Sequence, residues 1–219
     1  MSRLLARLGL LLAQALAVFA AAPLKPDLTK APAQQGWKFS PNAAASWVAD
    51  AKGRPALKAK GIVWLEGATF ADGTIEVDIL GQSAPPQSNF LGIAFRGTDD
   101  TTYDCVYFRP FNFRHTNPEN AARSVQYVSH PEWPWQRLRS ERTGRYEKPI
   151  APPPDGDAWF RAKIVIAGKS IRVFVNGATT PSLEVESLND RATGRIGIWG
   201  GDAGQGGHFA NLVVTPATP

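Results

Sequence analysis

Between residues 37 and 215 the apolar positions recur with a period of two, in short runs, and nowhere hold a helical spacing over any length. Thr74–Leu80 places Ile75, Val77 and Ile79 on one face and Glu76 and Asp78 on the other. Asn89–Arg96 places Leu91, Ile93 and Phe95 opposite Phe90, Gly92, Ala94 and Arg96. Ile62–Leu65, Tyr103–Arg109, Ser124–Ser129, Arg195–Trp199 and His208–Thr215 are further strand-like runs, rich in β-branched and aromatic residues. Trp159–Ala167 and Ser170–Asn176 flank Gly168-Lys169 and predict a hairpin, and Asn176-Gly177 is a second turn signal. Short strands bounded by Gly, Pro, Asn and Asp, without helices, predict an all-β fold. The expected architecture is a two-sheet antiparallel β-sandwich, each sheet with one face on the core and one exposed. The core should hold the apolar faces named above with Val106, Phe108, Ile164, Ile166, Val173, Val175, Ile196, Ile198, Leu212 and Val214.

Two stretches break the pattern, residues 111–123 and 130–158. The second is longer than a plain connection in a compact domain and predicts a functional loop. Before residue 37 the reading changes again. Arg3 and Arg7 precede an apolar run from Leu8 to Phe19, and Ala20, Ala21 and Ala22 supply small residues for a cut after Ala20. The run falls short of the roughly 20 residues that span a bilayer. Residues 1–22 are therefore expected to be a signal peptide, 23–36 a linker rich in Pro, Ala and Lys, and 37–215 one domain. The mature chain is expected to be soluble and secreted or periplasmic, with no membrane association after cleavage. A single cysteine, Cys105, excludes an intrachain disulfide, and an exported domain without one looks bacterial. The formal charge of +5 falls to +3 once Arg3 and Arg7 leave, too mild for a nucleic-acid-binding face.

The order of motifs carries a resemblance. Gly73-Thr74-Ile75-Glu76-Val77-Asp78-Ile79 looks like an early strand of the concanavalin A-like lectin/glucanase fold. Gly92-Ile93-Ala94-Phe95-Arg96, Tyr103 to Arg109, Trp159 with the hairpin, Gly194 to Trp199 and Phe209 to Val214 follow in that fold's order. The pattern is similar to laminin G-like domains and, more closely, to the bacterial 3-keto-disaccharide hydrolase-like family. The resemblance implies a jelly roll and a carbohydrate context; it does not by itself settle activity.

Candidate chemistry gathers in two places. In Tyr107 to His115, the side chains of Tyr107 and Arg109 share a strand face, and Arg96 lies on the non-core face of its own strand. Arg96, Tyr107, Arg109 and Asn112 are expected to bind substrate over a sheet face, since rings stack on sugar C–H faces and Arg and Asn donate to hydroxyls or carboxylates. Arg109 is not expected to hold the core. Trp133 and Trp135, in a proline-stiffened loop with Arg137, Arg139, Arg142 and Arg145, are expected to cover that face and join the site. His115, His130, Asp104 and Glu132 are the candidate acid/base groups, with Glu141 a further acid. Glu76 and Asp78 resemble part of the catalytic strand of family-sixteen glucanases. Leu80-Gly81 stands where those enzymes carry a second glutamate, so both acids are read as an exposed strand face. Asp99-Asp100 and Asp155-Gly156-Asp157 are read as turn acids, and Gly200 to Gly207 as a flexible loop, because no helix follows to cradle a phosphate. No metal site or cofactor is called for. Two functions stay open: a glycoside hydrolase or lyase acting on a (3-keto) disaccharide or oligosaccharide, or a non-catalytic carbohydrate-binding module. A saccharide is the ligand in both.

Overall fold

The structure, a computed structural model, describes residues 22–201 and 204–218. Most of the expected signal peptide, residues 1–21, lies outside them, as do Asp202 and Ala203 of the glycine-rich loop. The described chain opens on a short 3-10 turn (Leu28–Ala33). Strands β1 (Trp37–Phe39), β2 (Ala44–Val48), β3 (Ala56–Lys60), β4 (Ile62–Phe70) and β5 (Gly73–Leu80) follow. Then come β6 (Leu91–Gly97), β7 (Tyr103–Phe108), helix α1 (Pro118–Ala121), β8 (Val125–His130), helix α2 (Trp135–Glu141) and β9 (Glu147–Lys148). Strands β10 (Phe160–Ala167), β11 (Ser170–Val175), β12 (Leu183–Glu186), β13 (Gly194–Trp199) and β14 (Gly207–Pro216) complete the order.

The strands form two seven-stranded sheets, β1-β4-β13-β6-β7-β8-β9 and β12-β11-β10-β5-β14-β3-β2, and every pairing within them is antiparallel. Their inner faces carry the predicted core, and all sixteen residues expected there are buried. Phe108 of one sheet meets Phe160 of the other with ring centroids 5.1 Å apart, and Phe113 meets Phe160 at 5.2 Å. Burial of each such ring contributes about 1.5–3 kcal/mol.

Four expectations need correction. First, residues 23–36 are not a free linker. Leu24 pairs with Val214, Leu28 and Ala31 are buried, and the Trp37 indole donates to the Asp27 carbonyl at 3.2 Å. Two apolar side chains and one backbone bridge are enough to dock this Pro-rich segment on the sandwich. Second, β6 and β7 are buried on both faces, because segments 111–123 and 131–148 fold over the outer face of their sheet. Third, Asp78 is buried rather than exposed; it accepts from Arg54 at 2.8 Å, Arg161 at 2.9 Å and Asn211 at 2.7 Å.

Fourth, Arg96 does not sit on the open sheet face. Arg195 pairs with Gly97 and Gly197 with Ala94, so Phe95 and Arg96 together oppose Ile196 alone. This is a β-bulge, and Arg96 adopts φ of 50°, in the left-handed region. Bulging breaks the alternation and aims the side chain at the neighbouring turns. Its buried guanidinium donates to Asp72 at 2.7 Å, to the Ala71 carbonyl at 3.3 Å and to the Gly168 carbonyl at 2.9 Å. Arg96 therefore ties the β4–β5 and β10–β11 turns together.

Candidate functional site

A single transverse row of residues builds the floor of the site. In the register of the first sheet, Trp199 pairs with Gly92, Gly92 with Tyr107, Tyr107 with Gln126, and Gln126 with Glu147. Paired residues on neighbouring strands point to the same face, so this row stands on the outer face while Ile198, Ile93, Val106 and Tyr127 point inward. Gly92 has no side chain, and a Cβ there would lie 2.6 Å from the Tyr107 Cα. The rings on either side therefore close over it, with the Tyr107 and Trp199 centroids 5.0 Å apart. Arg109, two residues beyond Tyr107, projects on the same side.

The loops supply the walls of a groove of about 790 Å³. Phe90, Phe111 and Asn112 form one wall, His115, Asn120 and Arg123 border it, and Trp135, Gln136 and Arg139 of α2 face it. Trp135 is 42% exposed. Among the described residues no Asp or Glu side chain lines this groove.

Three guanidiniums share one buried carboxylate. Arg139 grips Glu147 with two hydrogen bonds, Nε to Oε1 at 3.1 Å and Nη2 to Oε2 at 2.9 Å. Arg109 reaches Oε2 at 3.4 Å, and Arg123 lies 3.8 Å from Oε1. Arg109 also donates to the Arg123 carbonyl at 2.8 Å, to the Tyr107 hydroxyl at 2.7 Å and to the Gln126 Oε1. The Tyr107 hydroxyl in turn donates to that oxygen at 2.8 Å. Arg109 can only donate, so the amide oxygen of Gln126 must face it and its NH2 group points away. That Nε2 is buried without an acceptor, as is Nε1 of Trp199.

Burial pushes the Tyr107 phenol well above its ordinary value of 10 even beside Arg109, so it stays neutral. Burial likewise lowers the Arg109 guanidinium, against the attraction of Tyr107 and Glu147. His115 Nδ1 accepts from the backbone N–H of Asn117 at 3.0 Å, and its Nε2 lies 3.2 Å from the side-chain nitrogen of Asn120. His130 packs on Tyr103 at 4.9 Å between centroids.

Six of the ten residues singled out in the sequence line the groove: Tyr107, Arg109, Asn112, His115, His130 and Trp135. Four do not. Arg96 is the turn clamp described above. Asp104 points to the opposite, inter-sheet face of β7, fully buried, where it accepts from Arg191 at 2.8 Å, Tyr127 at 3.0 Å and Asn189 at 2.6 Å. Burial raises its carboxyl above 3.8 in spite of Arg191. Glu132 is exposed and paired with Arg137 at 3.5 Å. Trp133 is packed against the core edge, under Arg137 at 4.0 Å and Arg142 at 4.4 Å. Of the further acid/base candidates, Glu141 pairs with Arg137 at 3.0 Å on the α2 surface. The groove residues not singled out include Trp199, Arg123 and, beneath them, Gln126 and Glu147. Arg139 carried a signal, since it belonged to the arginine run noted after Trp135.

No protein-family model matches the chain. No curated protein matches it either. Solved structures do. A protein of unknown function with a galectin-like fold from Bacillus subtilis is 16% identical over 91% of this chain and 98% of its own, with a TM-score of 0.56. A candidate glycosyl hydrolase from Parabacteroides distasonis is 15% identical over 89% of this chain and 100% of its own, with a TM-score of 0.53. The exoplasmic/lumenal domain of VIP36 in its Ca2+/Man-bound form is 8% identical over 84% of each chain, with a TM-score of 0.50. Fold and topology together define the class: a two-sheet antiparallel β-sandwich with a galectin-like, jelly-roll fold.

Proposed function

We propose that the groove is a saccharide-binding site and that this chain acts as a carbohydrate-binding protein. The observation that carries the reading is the floor itself, where the Tyr107 and Trp199 rings meet beside a set of inflexible donors. Rings offer flat apolar area to sugar C–H faces, and Arg and Asn side chains engage hydroxyls. The similar folds named above include a galectin-like protein, a candidate glycosyl hydrolase and a Man-bound domain, which favours the same ligand class.

Binding without cleavage is preferred because a two-carboxylate mechanism needs acids in the groove, and Glu147, behind the lining arginines, has both oxygens engaged by Arg139. The enzymatic reading, hydrolysis or elimination on a (3-keto) disaccharide, would rest on His115 and His130, which both border the groove. Titration calorimetry across a panel of oligosaccharides tests the proposal, with product analysis of each mixture by chromatography. At least one glycan should bind and be recovered intact. Trp135→Ala should weaken it about tenfold, the equivalent of ~1.4 kcal/mol, with little change in thermal midpoint. Failure of the whole panel, or unchanged affinity in Trp135→Ala, would contradict the proposal, and cleavage would reinstate the enzyme. Export is proposed with it: mass spectrometry of secreted protein should find a mature end near residue 21, and an intact Met1 would refute that.

A further inference from the structure

We infer that the groove selects an anionic saccharide, one bearing a carboxylate or a sulfate group, over its neutral counterpart; this rests on the saccharide reading above. Both the charge and the hydrogen-bonding capacity of the groove favour an anion. Arg109, Arg123 and Arg139 line the groove, and the buried carboxylate among them is Glu147. Among the described residues Arg123 has one other acidic neighbour, Glu119 at 3.9 Å, whose side chain is 78% exposed and screened by solvent. Three fixed positive charges thus face one fixed negative charge. Placing cations in a partly dry groove is unfavourable unless something neutralises them.

The hydrogen-bond count points the same way. A carboxylate has two oxygens, and both of Glu147 already accept from Arg139. Gln126 Oε1 is taken by Arg109 and Tyr107, and the Tyr107 oxygen by Arg109. What the groove has left over is donors, the N–H groups of Arg109, Arg123 and Arg139 that these acceptors do not take up; Gln126 Nε2 and Trp199 Nε1 also lack an acceptor but are buried. A neutral sugar hydroxyl brings a donor with every acceptor. A carboxylate or sulfate brings acceptors only, in the planar or trigonal arrangement that guanidinium matches. The exposed Trp135 then supplies the apolar surface for the ring that carries the anion, over a floor that holds the buried Tyr107 and Trp199 rings.

The test is calorimetry on the purified protein with matched pairs: oligogalacturonate against its methyl ester, and a sulfated oligosaccharide against its desulfated form. At least one acid should bind about tenfold or more tighter than its neutral partner, because hydrogen bonds to an ionised acceptor are the stronger ones. The preference should shrink as salt is raised. Arg123→Gln removes one of the three positive charges around Glu147 and keeps the two Arg139–Glu147 hydrogen bonds; it should erase most of the preference by weakening the acid far more than its neutral partner. Equal affinity within both pairs would overturn the inference and leave the saccharide reading standing. Absence of binding to any glycan, charged or neutral, would remove both. Loss of affinity for acid and neutral forms alike in Arg123→Gln would also overturn it.

Discussion

Arg109 shows how far a side chain's role depends on its neighbours. As a residue on an open sheet face it would be expendable to the fold; in the structure it is 5% exposed, against a Glu147 that is 6% exposed. It bonds Glu147, Gln126, Tyr107 and a backbone carbonyl. Arg109→Ala should therefore lower the unfolding midpoint as well as ligand affinity. Glu147→Gln goes further, since it leaves clustered guanidiniums without a buried counter-charge. We expect it to cost about 3–5 kcal/mol in urea denaturation, and a loss under 1 kcal/mol would show that the cluster is wetter than described.

Asp104, on the inner side of β7, gives a pH signature. Its carboxyl titrates above 3.8 in the folded state because burial outweighs Arg191 and its other donors. Above the unfolded value, the folded protein keeps a proton that the unfolded chain has released. Stability contributed this way is present at low pH and lost as pH rises through the folded value. Asp104→Asn should flatten that slope in a series of denaturation curves, even though it gives up the Arg191 pair. A slope that survives the substitution belongs to another group.

At the scale of elements, the strands with alternating branched side chains were legible from their own residues. Ile75, Val77 and Ile79 on β5, or Ile164 and Ile166 on β10, declare both strand and buried face locally. Strands β2 and β12 were not, because Ala44–Val48 and Leu183–Glu186 owe their conformation to the partners they pair with. The bulge at Arg96 was hidden for the same reason: it is defined by Ile196, a hundred residues further on. Its consequence is a prediction of role. Arg96→Ala should cost about 1–3 kcal/mol through the lost turn contacts and leave saccharide affinity unchanged. Weakened binding at full stability would return Arg96 to the site. The opening segment carries a similar expectation. A chain beginning at Trp37 loses Leu28, Ala31 and the Leu24–Val214 bridge, and should unfold at lower denaturant than one beginning at residue 22.

For the whole molecule, the sandwich is a support that presents one covered sheet face. Aromatic and arginine-rich stretches could be recognised along the chain, because their composition is unusual wherever it falls. Which of them converge could not. Glu147 meets Arg109 only because β9 pairs with β8, and Trp199 meets Tyr107 only across the gap at Gly92. The most direct measurement of the central claim is a crystal structure of the protein with a bound acidic oligosaccharide. A sugar ring should lie against Trp135 over the floor of Tyr107 and Trp199, with an anionic group within hydrogen-bonding distance of Arg109, Arg123 or Arg139. A ligand seated elsewhere, such as beside Glu76 and Arg161 on the opposite sheet, would contradict it.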